Sequence, residues 1–126
     1  MGKVDIFGLV DDGEIDTLRT ILLGGSSLDL NSLDQYGNSL LSHAVLCEDL
    51  EMVKLICAAG IDIHNCDLNK GGEPALMYAL DSGNDAIISE LILQCGGDYS
   101  GVSTWLGIPL EERVRVYEAS KIERLG

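Results

Sequence analysis

The sequence is poor in positive charge. Eight Lys and Arg stand against 21 Asp and Glu in 126 residues, a net charge of −13. Nucleic-acid binding is therefore not expected, because phosphate contacts need clustered Lys and Arg. An anionic membrane surface would repel the chain for the same reason. Aromatic residues make up only 5%, so the core must be aliphatic. No apolar run approaches the roughly 20 residues that span a bilayer. Met1-Gly2-Lys3-Val4-Asp5 lacks an apolar signal core, and Ile6 stands where a myristoylation signal has Ser or Thr. Cys47, Cys57, Cys66 and Cys95 form no Cys-x-x-Cys pair, which disfavours a zinc site and suits buried thiols in a reducing compartment. A soluble, cytoplasmic chain is the expectation. Gly24-Gly25 and Gly71-Gly72 are not followed by the Lys and Ser or Thr of a phosphate loop.

What is present is enough for one folded domain. The chain is 46% hydrophobic and 23% charged, too apolar to stay disordered. Residues 1–108 hold 17 acids and 4 bases, so the whole negative excess lies there. An acidic protein attracts and steers a basic partner.

The chain also repeats itself. Leu41-Ser42-His43-Ala44 and Leu76-Met77-Tyr78-Ala79 are 35 residues apart, as are Leu18, Val53 and Ile88. Each unit reads as two short helices. The first helices are placed at Ile6–Asp12, Leu40–Cys47 and Ala75–Ser82, the second at Ile15–Leu23, Leu50–Ala58 and Asp85–Gln94. Apolar residues recur at helical spacing in the second set, as in Ile15, Leu18, Ile21 and Leu22. Gly13, Gly25, Gly60, Gly83 and Gly96 punctuate the ends, where glycine accepts a left-handed conformation. Loops rich in Asp, Asn and Gly connect the units, and Asp and Asn close turns on their own backbone.

These residues resemble the ankyrin repeat, a β-turn plus two antiparallel helices of about 33 residues. Asp34, Gly37, Ser39, Leu41, Ala44, Val53, Ile56, Gly60, Asp62 and Asn65 follow the family pattern. Asp67, Gly72, Leu76, Ala79, Gly83, Ile88, Leu91, Ile92, Gly96 and Asp98 follow it again. The first unit is degenerate, as a terminal repeat is. Ser26-Ser27, the stretch 69–72 and Cys95 add residues to the pattern. The resemblance implies an all-α solenoid of paired antiparallel helices with short β-turn loops. It divides a single domain, 1–126, into repeats at about 4–33, 34–66 and 67–98, with a connection and capping helix at 99–126. Residues 99–107 read as irregular, with Trp105 as an anchor. Pro109 begins the capping helix, with Leu110, Val114, Tyr117, Ile122 and Leu125 on one apolar stripe.

Candidate chemistry is thin. His43, Cys47, His64 and Cys66 lack metal-ligand spacing. Glu48 and Asp49 beside Cys47 oppose a thiolate, and Asp11-Asp12 reads as solvated surface. No catalytic residue, cofactor or metal is therefore expected. The acids fall in two rows. Asp11, Asp12, Glu14, Asp16, Glu48, Asp49, Glu51, Asp81 and Asp85 lie between the two helices of their units and form a ridge when units stack. Asp29, Asp34, Asp62, Asp67 and Asp98 lie in the loops and read as turn residues.

The resemblance implies protein binding through loop tips and the concave face of the first helices. On this sequence the tips are Gln35, Tyr36, Asn38, Leu68, Asn69 and Lys70. The concave residues are Ser42, His43, Leu46, Met77, Tyr78 and Asp81. Tyr36 and Tyr78 are the expected hot spots, since tyrosine brings area and a hydroxyl at low entropy cost. The expected partner is another protein, basic in charge, bound by a chain that is a monomer when free. An acidic inhibitor, such as a bacterial immunity protein neutralising a nuclease toxin, fits the charge. An adaptor docking a client protein is the alternative, and a small enzyme comes third.

Overall fold

The computed structural model describes residues 5–24, 29–104 and 106–125, with side chains through residue 123. Among these are seven α-helices: α1 (Ile6–Asp11), α2 (Ile15–Leu23), α3 (Leu40–Leu46), α4 (Leu50–Ala58), α5 (Ala75–Ser82), α6 (Asp85–Cys95) and α7 (Leu110–Leu125). Trp105 and Gly25 lie outside the described residues, as does the side chain of Leu125.

Short polar side chains start four of the described helices. The carboxylate of Asp5 accepts from the Gly8 N–H, the Ser39 hydroxyl from Ser42, the carboxylate of Asp49 from Met52 and the amide oxygen of Asn84 from Ile87. Such caps satisfy backbone donors that the first turn leaves unpaired, at about 1 kcal/mol each. Asp12 and Cys47 end α1 and α3 as caps, one residue short of the sequence expectation. The turn into the second helix needs a left-handed residue. Gly13 and Gly83 supply it at φ 72° and 73°, while Glu48 adopts φ 54° at the matching place in the second unit.

The helices stack in two layers. The chain of contacts α1–α3–α5–α7 forms one layer, and α2–α4–α6 forms the other. Between the layers lie Val10, Leu18, Leu40, Leu41, Met52, Ile56, Leu76, Ile87, Ile88, Leu91 and Leu110, all fully buried. Burying each such side chain stabilises by about 1.5–3 kcal/mol before entropy is counted.

Neighbouring loops are joined by backbone. The Asp67 N–H donates to the Gly37 carbonyl at 2.8 Å. A Cβ on Gly72 would overlap the backbone of Gly37, and one on Gly37 would overlap the Asp67 carbonyl, so both positions require glycine. The Asp62 N–H donates to the Asn31 side chain at 2.8 Å, and the Asn65 amide to the Asn31 carbonyl at 2.7 Å. His64 reaches the Asp98 carbonyl at 2.9 Å through Nε2. A carbonyl only accepts, so that nitrogen carries the proton. Asp29, Asp34, Asp67 and Asp98 each accept a backbone N–H within their own turn.

The region after Asp98 differs from the sequence expectation. Instead of an irregular connection, a hairpin closes at Ser103 and Pro109, as one does at Leu33 and Ser39. The correspondence extends to side chains. Asp34 accepts from the Asn38 N–H at 2.9 Å. Thr104 accepts from the Ile108 N–H at 3.3 Å, 70 residues further on. Helix α7 therefore occupies the place of a fourth first helix. Leu110 and Val114 are buried and Tyr117 is partly buried, but Ile122 is 70% exposed. The 16 residues of α7 run about 24 Å. That is roughly twice the length of α3 or α5, so its second half overhangs the stack.

Candidate protein-binding surface

The surface is built from α1, α3, α5 and α7 and from the loops that precede the last three. At one point of it, His43 is held from two sides. Nδ1 lies 2.8 Å from Asp11 of α1, and Nε2 lies 2.7 Å from Asp34 of the hairpin before α3. Phe7 of α1 packs on the ring, with centroids 4.8 Å apart. Burial disfavours the imidazolium, but the hydrogen bonds and charges of Asp11 and Asp34 outweigh it and hold the His43 pKa above its ordinary value. Burial likewise works against the Asp34 carboxylate. N–H bonds from Asn38 and Tyr36, together with His43, overcome it and hold the Asp34 pKa low.

Both ring nitrogens of His43 are thus engaged by carboxylates rather than by Cys47. Burial, with Asp11 and Asp49 nearby, pushes the Cys47 thiol up. Burial also raises Cys57 and Cys66, each to about 11. All three are poor nucleophiles at neutral pH.

A groove of about 640 Å³ opens beside α5. Glu73, Met77, Tyr78 and Asp81 form one wall, and Leu106, Ile108 and Arg113 the other. The Tyr78 hydroxyl donates to the Asn38 side chain at 2.7 Å, and burial raises its pKa. Arg113 bonds Asp81 at 3.0 Å, and the Tyr117 hydroxyl donates to Asp85 at 2.6 Å. These contacts tie α7 to the third repeat.

A model of the family described as ankyrin repeats in three copies matches residues 7–101. The chain is an ankyrin-repeat protein. Among curated proteins, none matches it. Among solved structures, it resembles a chain from the complex of a predatory endopeptidase from Bdellovibrio bacteriovorus with an immunity protein. The TM-score is 0.63 and the identity 20%, over 82% of this chain and 49% of that one. The ankyrin-repeat protein therefore spans about half the length of that chain. Among its described residues, no helix is long and apolar enough to cross a membrane.

The ankyrin frame explains where the sequence-selected residues fall. Gln35 and Tyr36 sit exposed on the second hairpin, Tyr36 at 62%. Leu68, Asn69 and Lys70 form a 3-10 turn in the loop before α5, with Asn69 and Lys70 exposed and Leu68 half-buried. Leu46 is 58% exposed at the end of α3. Met77, Tyr78 and Asp81 meet in the groove, with Asn38 behind Tyr78. Ser42 does not belong to the surface. It is fully buried, and its hydroxyl lies 3.3 Å from that of Ser39, because it faces the core beneath the hairpin. Met77 shows only 7% of its area, at the floor of the groove. Sequence reasoning missed Glu73, Leu106, Ile108 and Arg113. The 35-residue spacing of Pro74 and Pro109 would have placed the last three opposite α5.

Of the nine ridge acids, all but Asp49 are exposed. Asp11, Asp81 and Asp85 also hold partners in the next unit, and Glu48 accepts from Asn84 at 3.3 Å.

Proposed function

We propose that this ankyrin-repeat protein binds and inhibits a basic protein, as an immunity protein neutralises a toxin such as a nuclease. Ankyrin repeats are protein-binding units, and the net charge of −13 favours a cationic partner. The observation that carries the electrostatic reading is Glu48. It holds φ 54° where the other two units have glycine. A non-glycine residue there costs about 1–2 kcal/mol, and its carboxylate stands exposed on the acidic ridge. Strain of this kind gathers at functional positions. A solved structure of similar fold contains an endopeptidase and an immunity protein, which is compatible with the inhibitory role. The exposed acids contribute on-rate and selectivity, and Tyr36, Leu46 and the groove contribute contact area.

The test is capture on immobilised ankyrin-repeat protein, followed by washes of rising salt. The expected result is a basic protein released by salt, whose activity falls when the ankyrin-repeat protein is added back. A partner retained at high salt, with activity unaffected, would replace inhibition by the adaptor reading and leave the acids a solubilising role.

A further inference from the structure

We propose that the groove beside α5 is a specificity pocket for a partner loop presenting an aliphatic side chain next to a Lys or Arg. This rests on the protein-binding reading and names the chemistry of one contact within it. Only one wall of the groove comes from the matched repeats. Leu106, Ile108 and Arg113 lie beyond residue 101, where the family match ends. The pocket is thus an addition made by the fourth hairpin and α7.

Its volume, about 640 Å³, lies within the ~300–1,000 Å³ of small-ligand sites and has room for more than one side chain. Met77, Tyr78 and Ile108 give it an apolar lining, and Leu106 stands 75% exposed at its edge. An entering aliphatic group would cover Leu106, which water otherwise surrounds. The charged lining selects the neighbour. The lining holds two carboxylates, Glu73 and Asp81, and one guanidinium, Arg113, so its net charge is negative. A cation is therefore favoured beside the aliphatic group, and an anion would meet like charge.

Three capped dipeptides test this by amide chemical-shift titration of the full chain: N-acetyl-Leu-Lys-amide, N-acetyl-Leu-Glu-amide and N-acetyl-Ser-Lys-amide. The Leu-Lys probe is expected to saturate in the millimolar range and to bind at least about fivefold tighter than the others. Its shifts should centre on residues 73–81 and 104–113. Leu106→Ser should weaken it severalfold, and Leu93→Ser, equally exposed on α6 at 72%, should not. Equal binding of the three probes, shifts centred elsewhere, or no effect of Leu106→Ser would overturn the pocket. A protein that fails here yet still captures and inhibits a basic partner loses only the pocket. One that binds Leu-Lys but inhibits nothing loses the inhibitory function instead.

Discussion

Replacing His43 by Gln removes a group that ties α1 to the hairpin before α3 by charge. In the native protein, the two ring nitrogens meet Asp11 at 2.8 Å and Asp34 at 2.7 Å. Both bonds are donated only by the imidazolium. A hydrogen bond to a charged group is worth about 1.5–3 kcal/mol net. The Asp34 side chain is 15% exposed and keeps most of that value, whereas Asp11 is 50% exposed and solvent screens its share to below about 1 kcal/mol. Asp34 is not orphaned by the substitution, because Tyr36 and Asn38 still donate to it. The expected loss is therefore about 2–4 kcal/mol under mildly acidic conditions. The sign of its pH dependence follows from the raised pKa of His43. The pairing is fully present below the unfolded value of about 6.5 and fades as pH rises through the higher folded value. In the alkaline range the neutral ring donates to one carboxylate and turns a lone pair to the other. The difference between native and variant then shrinks to about 1 kcal/mol. Urea unfolding of both proteins at about pH 5.5 and pH 9 measures this. Taking the difference cancels the general relief of charge repulsion that acid brings to any chain this anionic. An equal loss at the two pH values would refute the charged-bridge account.

Glu48→Gly is expected to raise the stability of the free protein by about 1 kcal/mol while weakening partner binding, a trade seen by thermal melting beside titration. A variant that is no more stable would remove the strain argument. Gly72→Ala forces a Cβ into the Gly37 backbone and is expected to cost at least about 2–3 kcal/mol. Gly60→Ala has open space around it at φ 93°, and only the left-handed penalty of about 1–2 kcal/mol applies. Melting temperatures that rank the two the other way would show that the hairpins do not stack as described. At neutral pH, Cys57 and Cys66 are expected to react with iodoacetamide only after unfolding, since their thiols titrate near 11. Exposed Cys47 should react first but more slowly than free cysteine. Mass spectrometry of partially alkylated protein checks the order.

Much of the fold was legible because local signals agree. Asp, Ser and Asn stand before helices, glycine stands after them, and the 35-residue period places both. The starts and ends of α2, α4 and α5 fall where the pattern puts them. The fourth hairpin was hidden because Thr104 and Ile108 replace Asp34 and Asn38, so the turn chemistry carries over while the letters do not. The role of His43 was also hidden. Its partners lie 32 and 9 residues away, and no local pattern encodes a bridge between units. The family resemblance put Ser42 on the concave face, yet it lies fully buried against Ser39. The groove's second wall includes the hairpin before α7, so it could not be found while 99–107 was read as irregular.

The proposed function depends on an acidic ridge that draws in a basic protein. The most direct measurement is the affinity of the captured partner at about 0.1 M and 0.5 M salt, where screening lengths differ about twofold. It is made for the native chain and for a variant with Asp12, Glu48 and Glu51 changed to Asn, Gln and Gln. The account predicts that the native chain binds tenfold or more weakly at high salt, which is about 1.4 kcal/mol, and that the variant loses most of this sensitivity. Affinity unchanged by salt and by the three substitutions would contradict it.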